Sequence, residues 1–301
     1  MIKKMRKLFL IAAVLFFISE LHAQNDGAAN TGLAFLKNGV GARQIAMGET
    51  SSLNEDAASV YYNPARLLFG PKNNVTLMHS ASVQDVTNDF IASKIAYEKF
   101  AIGFGIISTS INNIEVRTSP GAPIETFNAK DLSIGVSLAY KLSKKIALGA
   151  TAKMLYEKIY IDEASGLAFD IGTNITLGKF DLSLALANLG TINALRNTET
   201  VLPQSIRFGT GYRNQKGNIS YMLGIDGFKV LDGGVFHINT GAEIGFKDLI
   251  FLRAGYQSSY ETKGFSTGIG LKYKSINFDY AFVPYKNQFG NSNSFSLSLV
   301  F

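Results

Sequence analysis

The side chains able to do chemistry in this 301-residue chain are mostly charged groups at alternate positions of apolar stretches. Asp170, Asp181, Arg207, Arg213, Asp226, His237, Glu243, Arg253, Lys272 and Asp279 all fall on the small or polar face of their segments, as do Lys94 and Glu98. Both signs are present. Buried charges need partners, so a mixed set suits internal ion pairs in a wet, filled interior. The same set suits a polar path for a solute. An active site is the weakest of the three uses. Cys is absent, which excludes disulfides, thiolate metal sites, a Cys nucleophile and a lipidated N-terminal Cys. His22, His79 and His237 are the only histidines, too few for a His-rich metal centre. Asp162-Glu163 reads as a solvated loop, and no dense Asp loop suggests Ca²⁺. Gly103-x-Gly105 and Gly209-x-Gly211 lie inside alternating segments, whereas a phosphate-cradling loop needs a strand-to-helix turn. The expectation is a protein that is not an enzyme, with no metal and no cofactor.

The elements that position these groups repeat with period two. Residues 132–140 set Leu132, Ile134, Val136, Leu138 and Tyr140 against Ser133, Gly135, Ser137 and Ala139. The chain ends with Phe295, Leu297, Leu299 and Phe301 alternating with Ser294, Ser296 and Ser298. Successive side chains of a strand point to opposite faces, so these are strands with one apolar face. Fourteen such segments are expected: 73–82, 90–98, 100–109, 131–141, 146–156, 167–177, 180–188, 204–213, 218–227, 235–246, 249–257, 265–274, 276–284 and 292–301. Most run about ten residues, the length of a tilted strand crossing a bilayer. Short connections follow the even-numbered segments and longer ones the odd-numbered segments. An up-and-down barrel with short periplasmic turns and long external loops has this partition. The second face is rich in Gly, Ser and Ala and poor in Lys and Glu. The aromatics Phe100, Tyr140, Phe180, Tyr212, Tyr221, Phe246, Tyr256, Tyr273, Phe282 and Phe301 gather near segment ends, as interfacial girdles do. The fold expected is therefore all-β, a 14-stranded antiparallel transmembrane β-barrel. The connection 110–130 is expected to be the longest external loop, with Thr118–Ile124 as a docking candidate.

Charge and the N-terminus fix the compartment. Lys3, Lys4, Arg6 and Lys7, the apolar run Leu8–Ile18 and Ala23 read as a signal peptide over 1–23, cleaved after Ala23. Removing four basic residues and Glu20 lowers the formal charge from +6 to +3. The remaining basic residues form no stripe, so nucleic acid is not expected as a partner. The compartment expected is the bacterial outer membrane, with its lipid as one partner.

Residues 24–72 do not alternate and are expected to form a hatch segment packed in or beneath a barrel over 73–301. Asn54-Glu55-Asp56 is placed to cap a short helix over Ala57–Tyr62, and Pro64 should stop it at Asn63. The string Gly41-Ala42-Arg43, Ala46-Met47-Gly48, then Asn54-Glu55-Asp56-Ala57-Ala58-Ser59-Val60-Tyr61-Tyr62-Asn63-Pro64-Ala65 resembles the start of PorV/PorQ-type outer-membrane proteins, relatives of the FadL long-chain fatty-acid channel. Ala46, Glu49, Tyr62 and Arg66 stand where the family pattern has Gly, Gly, Trp and Gly. The resemblance implies a hatch motif at Gly48, Asp56, Tyr62, Asn63, Pro64 and Ala65. It makes Phe301 the terminal aromatic read by barrel-insertion machinery. It implies an accessory role in type IX protein secretion, with a translocon barrel and exported cargo as partners. The FadL kinship implies the alternative, a passive channel for a hydrophobic solute. A purely structural barrel is the third reading.

Overall fold

The computed structural model describes residues 30–301. The expected signal peptide lies outside the described residues. Fourteen strands follow the hatch: β1 (Asn73–Ala81), β2 (Val86–Ala96), β3 (Phe100–Val116), β4 (Glu125–Lys141), β5 (Ile146–Ile159), β6 (Asp162–Leu177), β7 (Phe180–Ile192), β8 (Ser205–Lys216), β9 (Ile219–Val230), β10 (Phe236–Phe246), β11 (Ile250–Gln257), β12 (Phe265–Tyr273), β13 (Ile276–Pro284) and β14 (Asn291–Val300). Each pairs antiparallel with its sequence neighbours, and β1 pairs with β14 from Asn74↔Val300 to Ala81↔Asn293, so the sheet closes. Closure removes the unpaired edges that a lipid environment does not tolerate.

The alternation sorts side chains to the two faces. Leu138, Leu167, Ile244 and Leu252 point outward and are 58–61% exposed. Their lumenal neighbours, Ser137, Ala168, Glu243 and Arg253, are buried. This is a membrane barrel, apolar outside and polar within. The six short connections lie at one end, with both ends of the barrel chain. By the rule for bacterial barrels this end is periplasmic.

Two expectations need correction. The segment 110–130 is mostly strand: β3 runs on to Val116 and β4 starts at Glu125, leaving a loop of 117–124. The longest connection is instead 193–204. A bulge between Ile111 and Ile114, with Asn113 at φ 58°, shifts the register and hides the continuation from a period-two reading. Likewise β5 and β6 extend to a two-residue turn at Tyr160-Ile161, with Tyr160 at φ 59° and no Gly or Asn to mark it. The rim is consequently uneven. β3 and β4 have 17 residues each and β6 has 16, while β11 has 8 and β12 has 9.

The hatch fills the lumen. Its helices are short, α1 (Ala42–Ala46) and α2 (Ser59–Tyr62), the latter shorter than expected at its start. Ala58 takes the cap position without a side-chain bond, while Asp56 Oδ1 accepts the Ala58 N–H at 2.9 Å. Asn63 is extended at φ −161°, ψ 107°, and Pro64 opens a 3₁₀ turn over Pro64–Leu68. Phe35, Leu36, Val40, Val60, Tyr62 and Leu67 form the hatch side of a core shared with Met78, Phe90, Ile107 and Leu155 of the wall.

Candidate functional site: the hatch and the lumenal wall

Several residues of the hatch motif sit where the hatch touches the wall. Asn63 Nδ2 donates to Ser183 Oγ at 2.7 Å and to the carbonyls of Thr173 and Leu184 at 3.0 and 3.3 Å, while its Oδ1 accepts the Ala65 N–H at 3.0 Å. One amide thus caps the 3₁₀ turn and stitches it to β6 and β7. Ala65 lies so close to β5 that a β-carbon on Gly149 would sit 2.4 Å from its nitrogen. Tyr62 Oη donates to the Val40 carbonyl at 3.0 Å and accepts the Val40 N–H at 2.9 Å. Burial, then the negative field of Glu49, push this phenol well above its ordinary range, so it stays neutral. Gly48 adopts φ 66°, and a β-carbon there would meet the Thr240 carbonyl at 2.6 Å; only glycine meets both demands. Asp56 Oδ2 accepts from Gln44 Nε2 at 2.8 Å, binding two parts of the hatch together.

The ten lumenal positions fall into distinct groups. Glu243 accepts from Arg43 at 2.9 Å and from Arg253 at 2.6 Å, and Arg253 donates on to Asp279 at 2.7 Å, giving an alternating row of four charges. Asp181 pairs with Arg66 at 3.4 Å and with Arg213, which also meets Glu55. Asp226 Oδ2 accepts the Ser51 N–H at 2.5 Å, the Ser51 hydroxyl at 2.7 Å and the Ser52 N–H at 3.2 Å, holding the hatch turn at that height. Arg207 donates to the Glu49 carbonyl at 2.9 Å and lies over the Phe228 ring. Asp170 pairs with Lys153 at 2.7 Å and accepts the Asn188 N–H at 2.7 Å, holding a bulge in β7. His237 stacks on Tyr260 with 3.7 Å between ring centres. Lys272 lies at the periplasmic rim and pairs with Asp248 at 2.5 Å. Lys94 is buried and donates to the Glu55 carbonyl at 2.6 Å and to that of Phe69. Glu98 does not face the lumen: it is exposed in the turn after β2, because strand pairing ends at Ala96.

Other anchors went unmarked by period-two reading. Arg66 is fully buried and donates from Nε to the Asn54 carbonyl at 2.6 Å and from Nη1 to Asn174 Oδ1 at 2.8 Å. At the external end Lys263 meets Glu49 at 3.3 Å. Burial acts to lower the pKa of this ammonium, but Glu49, with help from Tyr285 and Tyr260, outweighs it and holds the group above the usual lysine range. Gly264-Phe265-Ser266-Thr267-Gly268 matches Gly-x-Ser-x-Gly by letter. Ser266 sits in β12 rather than on a strand-to-helix turn, and its hydroxyl bonds the Gly48 N–H and the Ala46 carbonyl at 3.1 Å each. It anchors the hatch.

The hatch divides the remaining space. An external cavity of about 220 Å³ touches Gly39, Glu49, Ser80, Gln257 and Lys263. A periplasmic one of about 580 Å³ is lined by Arg43, Glu55, Glu243, Arg253 and Asp279. Between them α1 packs on β11 to β14, and the Ala42 N–H donates to Ser296 Oγ at 2.8 Å.

A closed 14-stranded barrel, apolar outside and filled by its own N-terminal segment, defines the FadL-like class of outer-membrane barrels. The Pseudomonas putida toluene transporter TodX superposes with TM-score 0.61 at 14% identity, over 87% of this chain and 99% of that one. The CymD monoaromatic hydrocarbon channel gives 0.63 at 12% identity, over 87% and 98%. A Pseudomonas aeruginosa FadL homologue gives 0.52 at 12% identity, over 86% and 97%. No curated protein matches. The model of the family "Type IX secretion system protein PorV" matches residues 21–183, more than half of the chain. The chain belongs to the PorV family, which places it in the outer membrane with a role in type IX secretion. Family and fold are those of secretion-associated or transport barrels.

Proposed function

We propose that this barrel is a PorV-type accessory of type IX secretion that binds translocon or cargo proteins at its external face, without catalysing a reaction. The observation that carries the reading is the rim above a filled lumen. A strand crosses a bilayer in about 9–11 residues. β3, β4 and β6 exceed that by roughly half, so their hairpins stand clear of the membrane as a wall on one side. Such a wall offers backbone and side chains to a partner, while the hatch occupies the path through the pore. Processing after Ala23, recognition of Phe301 by the insertion machinery and hatch duty for the Gly48–Ala65 motif belong to the same proposal.

Affinity purification from native outer membranes in mild detergent, with mass spectrometry, tests it. A large translocon barrel or cargo bearing a C-terminal sorting domain should be retained. Deleting 117–124 should end that capture while leaving insertion intact. Capture that survives the deletion counts against the wall as the docking site.

The alternative is passage of a hydrophobic solute. Leu36, Tyr61, Tyr62 and Phe228 line a small aromatic cavity that favours it. Against it, that cavity holds about 20 Å³, and the surroundings of Asn63-Pro64-Ala65 are packed with protein.

A further inference from the structure

The periplasmic end of the barrel is ringed with lysine. The six short turns carry six lysines and two acids, Glu98 and Asp248, and exposed Lys72 and Lys216 flank them. The seven connections at the other end carry four basic and four acidic residues, so the excess belongs to one end alone.

The placement repeats. At five of the six turns a lysine is the chain neighbour of an outward-facing aromatic: Lys99-Phe100, Tyr140-Lys141, Lys179-Phe180, Phe246-Lys247 and Tyr273-Lys274. The five rings are 45–69% exposed on the outer face. Aromatic girdles mark the boundary between hydrocarbon and headgroups. A residue one step beyond that boundary advances about 3 Å along the strand, into the phosphate layer. Two ammonium groups are seen leaning back over the girdle, Lys247 Nζ at 5.4 Å from the Phe246 centroid and Lys274 Nζ at 5.3 Å from that of Tyr273. None of the five couplet lysines makes an ion pair among the described residues, while Asp248 is engaged by Lys272. A ring in which cations outnumber acids by six to two repels itself and attracts anions.

We propose that this ring is a collar for anionic phospholipids of the periplasmic leaflet, each phosphate held by a couplet lysine beside its girdle ring. The partner is a lipid rather than a soluble acidic protein because four of the cations, Lys99, Lys179, Lys247 and Lys274, sit in turns bordering lipid-facing rings; Lys141, inside β4 after outward Tyr140, has lumenal parity. The collar is independent of what the external rim binds.

The test uses the mature full-length barrel reconstituted in bilayers of phosphatidylethanolamine with one fifth phosphatidylglycerol. After gentle extraction, the phospholipids retained are quantified by mass spectrometry. The ratio of phosphatidylglycerol to phosphatidylethanolamine should exceed that of the bilayer by about tenfold, and 0.5 M salt should erase the enrichment. The variant Lys99→Gln/Lys179→Gln/Lys247→Gln/Lys274→Gln should lose it, whereas Lys158→Gln/Lys286→Gln, at the other end, should keep it. Heat-dependent gel mobility reports folding, and if the quadruple variant does not insert, the salt titration of the unaltered protein decides. Equal retention of the two lipids overturns the collar, as does enrichment that survives in the folded quadruple variant. Capture of an acidic periplasmic protein by the ring without lipid preference also overturns it.

Discussion

The guanidinium of Arg66 donates to the side chain of Asn174 across 108 residues of sequence, and neither side chain is reached by solvent. The same guanidinium holds the Asn54 carbonyl and lies 3.4 Å from Asp181, so one side chain ties two parts of the hatch to β6 and β7. Removing one partner of a buried charge pair costs about 3–5 kcal/mol. Arg66→Ala should destabilise the barrel by that order, softened because Arg213 still faces Asp181. The chain has no Trp, so urea titration followed by far-UV circular dichroism is the suitable readout. A change within about 0.5 kcal/mol would show that the contact is dispensable.

Asn63 should tolerate loss better than charge. Asn63→Ala removes donors to two carbonyls and one hydroxyl, for about 1–3 kcal/mol. Asn63→Asp replaces those donors with a carboxylate facing the Thr173 and Leu184 carbonyl oxygens, and should be the worse of the two. The reverse order in the same titration would mean that the amide does not donate as assigned.

The hatch can be locked without disturbing native chemistry, since the chain has no Cys. A β-carbon on Gly105 would lie 3.7 Å from that of Val60, within the span of a disulfide. Val60→Cys/Gly105→Cys should oxidise to a tether between hatch and β3. Secretion of cargo should be unchanged by the tether and by its reduction. Secretion that stops on oxidation and returns on reduction would show that the hatch must move, and would turn attention to passage through the lumen.

The Lys263–Glu49 contact should be indifferent to pH across the physiological range. A lysine held above its unfolded value contributes stability that is complete below that unfolded value, about 10.4, and is lost only as pH rises through the folded value. The stability lost in Lys263→Gln, read by urea titration against the unaltered protein, should be the same from pH 6 to 9. A step in that difference near neutral pH would contradict the assignment.

Strand identity was legible wherever residues alternate without interruption. Leu132–Tyr140 and Ser294–Phe301 declare themselves because lipid on one side and hatch on the other impose opposite demands on neighbouring residues. Legibility failed at Asn112-Asn113, where a bulge breaks the period, and at Tyr160-Ile161, where a turn forms without a turn residue. Parity alone set the charged residues on one face of their segments, and the structure seats Glu98 in a turn instead. Their partners were not legible, because Arg43 reaches Glu243 and Asp226 reaches Ser51 over some 200 and 175 residues of sequence. The small residues of the lumenal face read simply as filler. The structure gives one of them a reason: Gly255 lets the backbone approach so closely that a β-carbon there would lie 2.0 Å from the Gly48 nitrogen.

The course of the hatch bears on assembly. Gly32 donates to Val201 in a long loop at one end, while Phe69–Lys72 joins β1 at the other, so the described segment runs the height of the lumen. The seam that completes the cylinder, β1 with β14, is also where the hatch is fastened: Ser296 accepts from Ala42, and Asn74 accepts the Ala57 N–H at 2.8 Å. A cord tied to the inside of a hoop is most simply laid before the hoop is shut. The sheet would roll around the hatch as around a mandrel, with β1 and β14 meeting over contacts the hatch already holds out, the Ala42 N–H for Ser296 and the Ala57 N–H for Asn74.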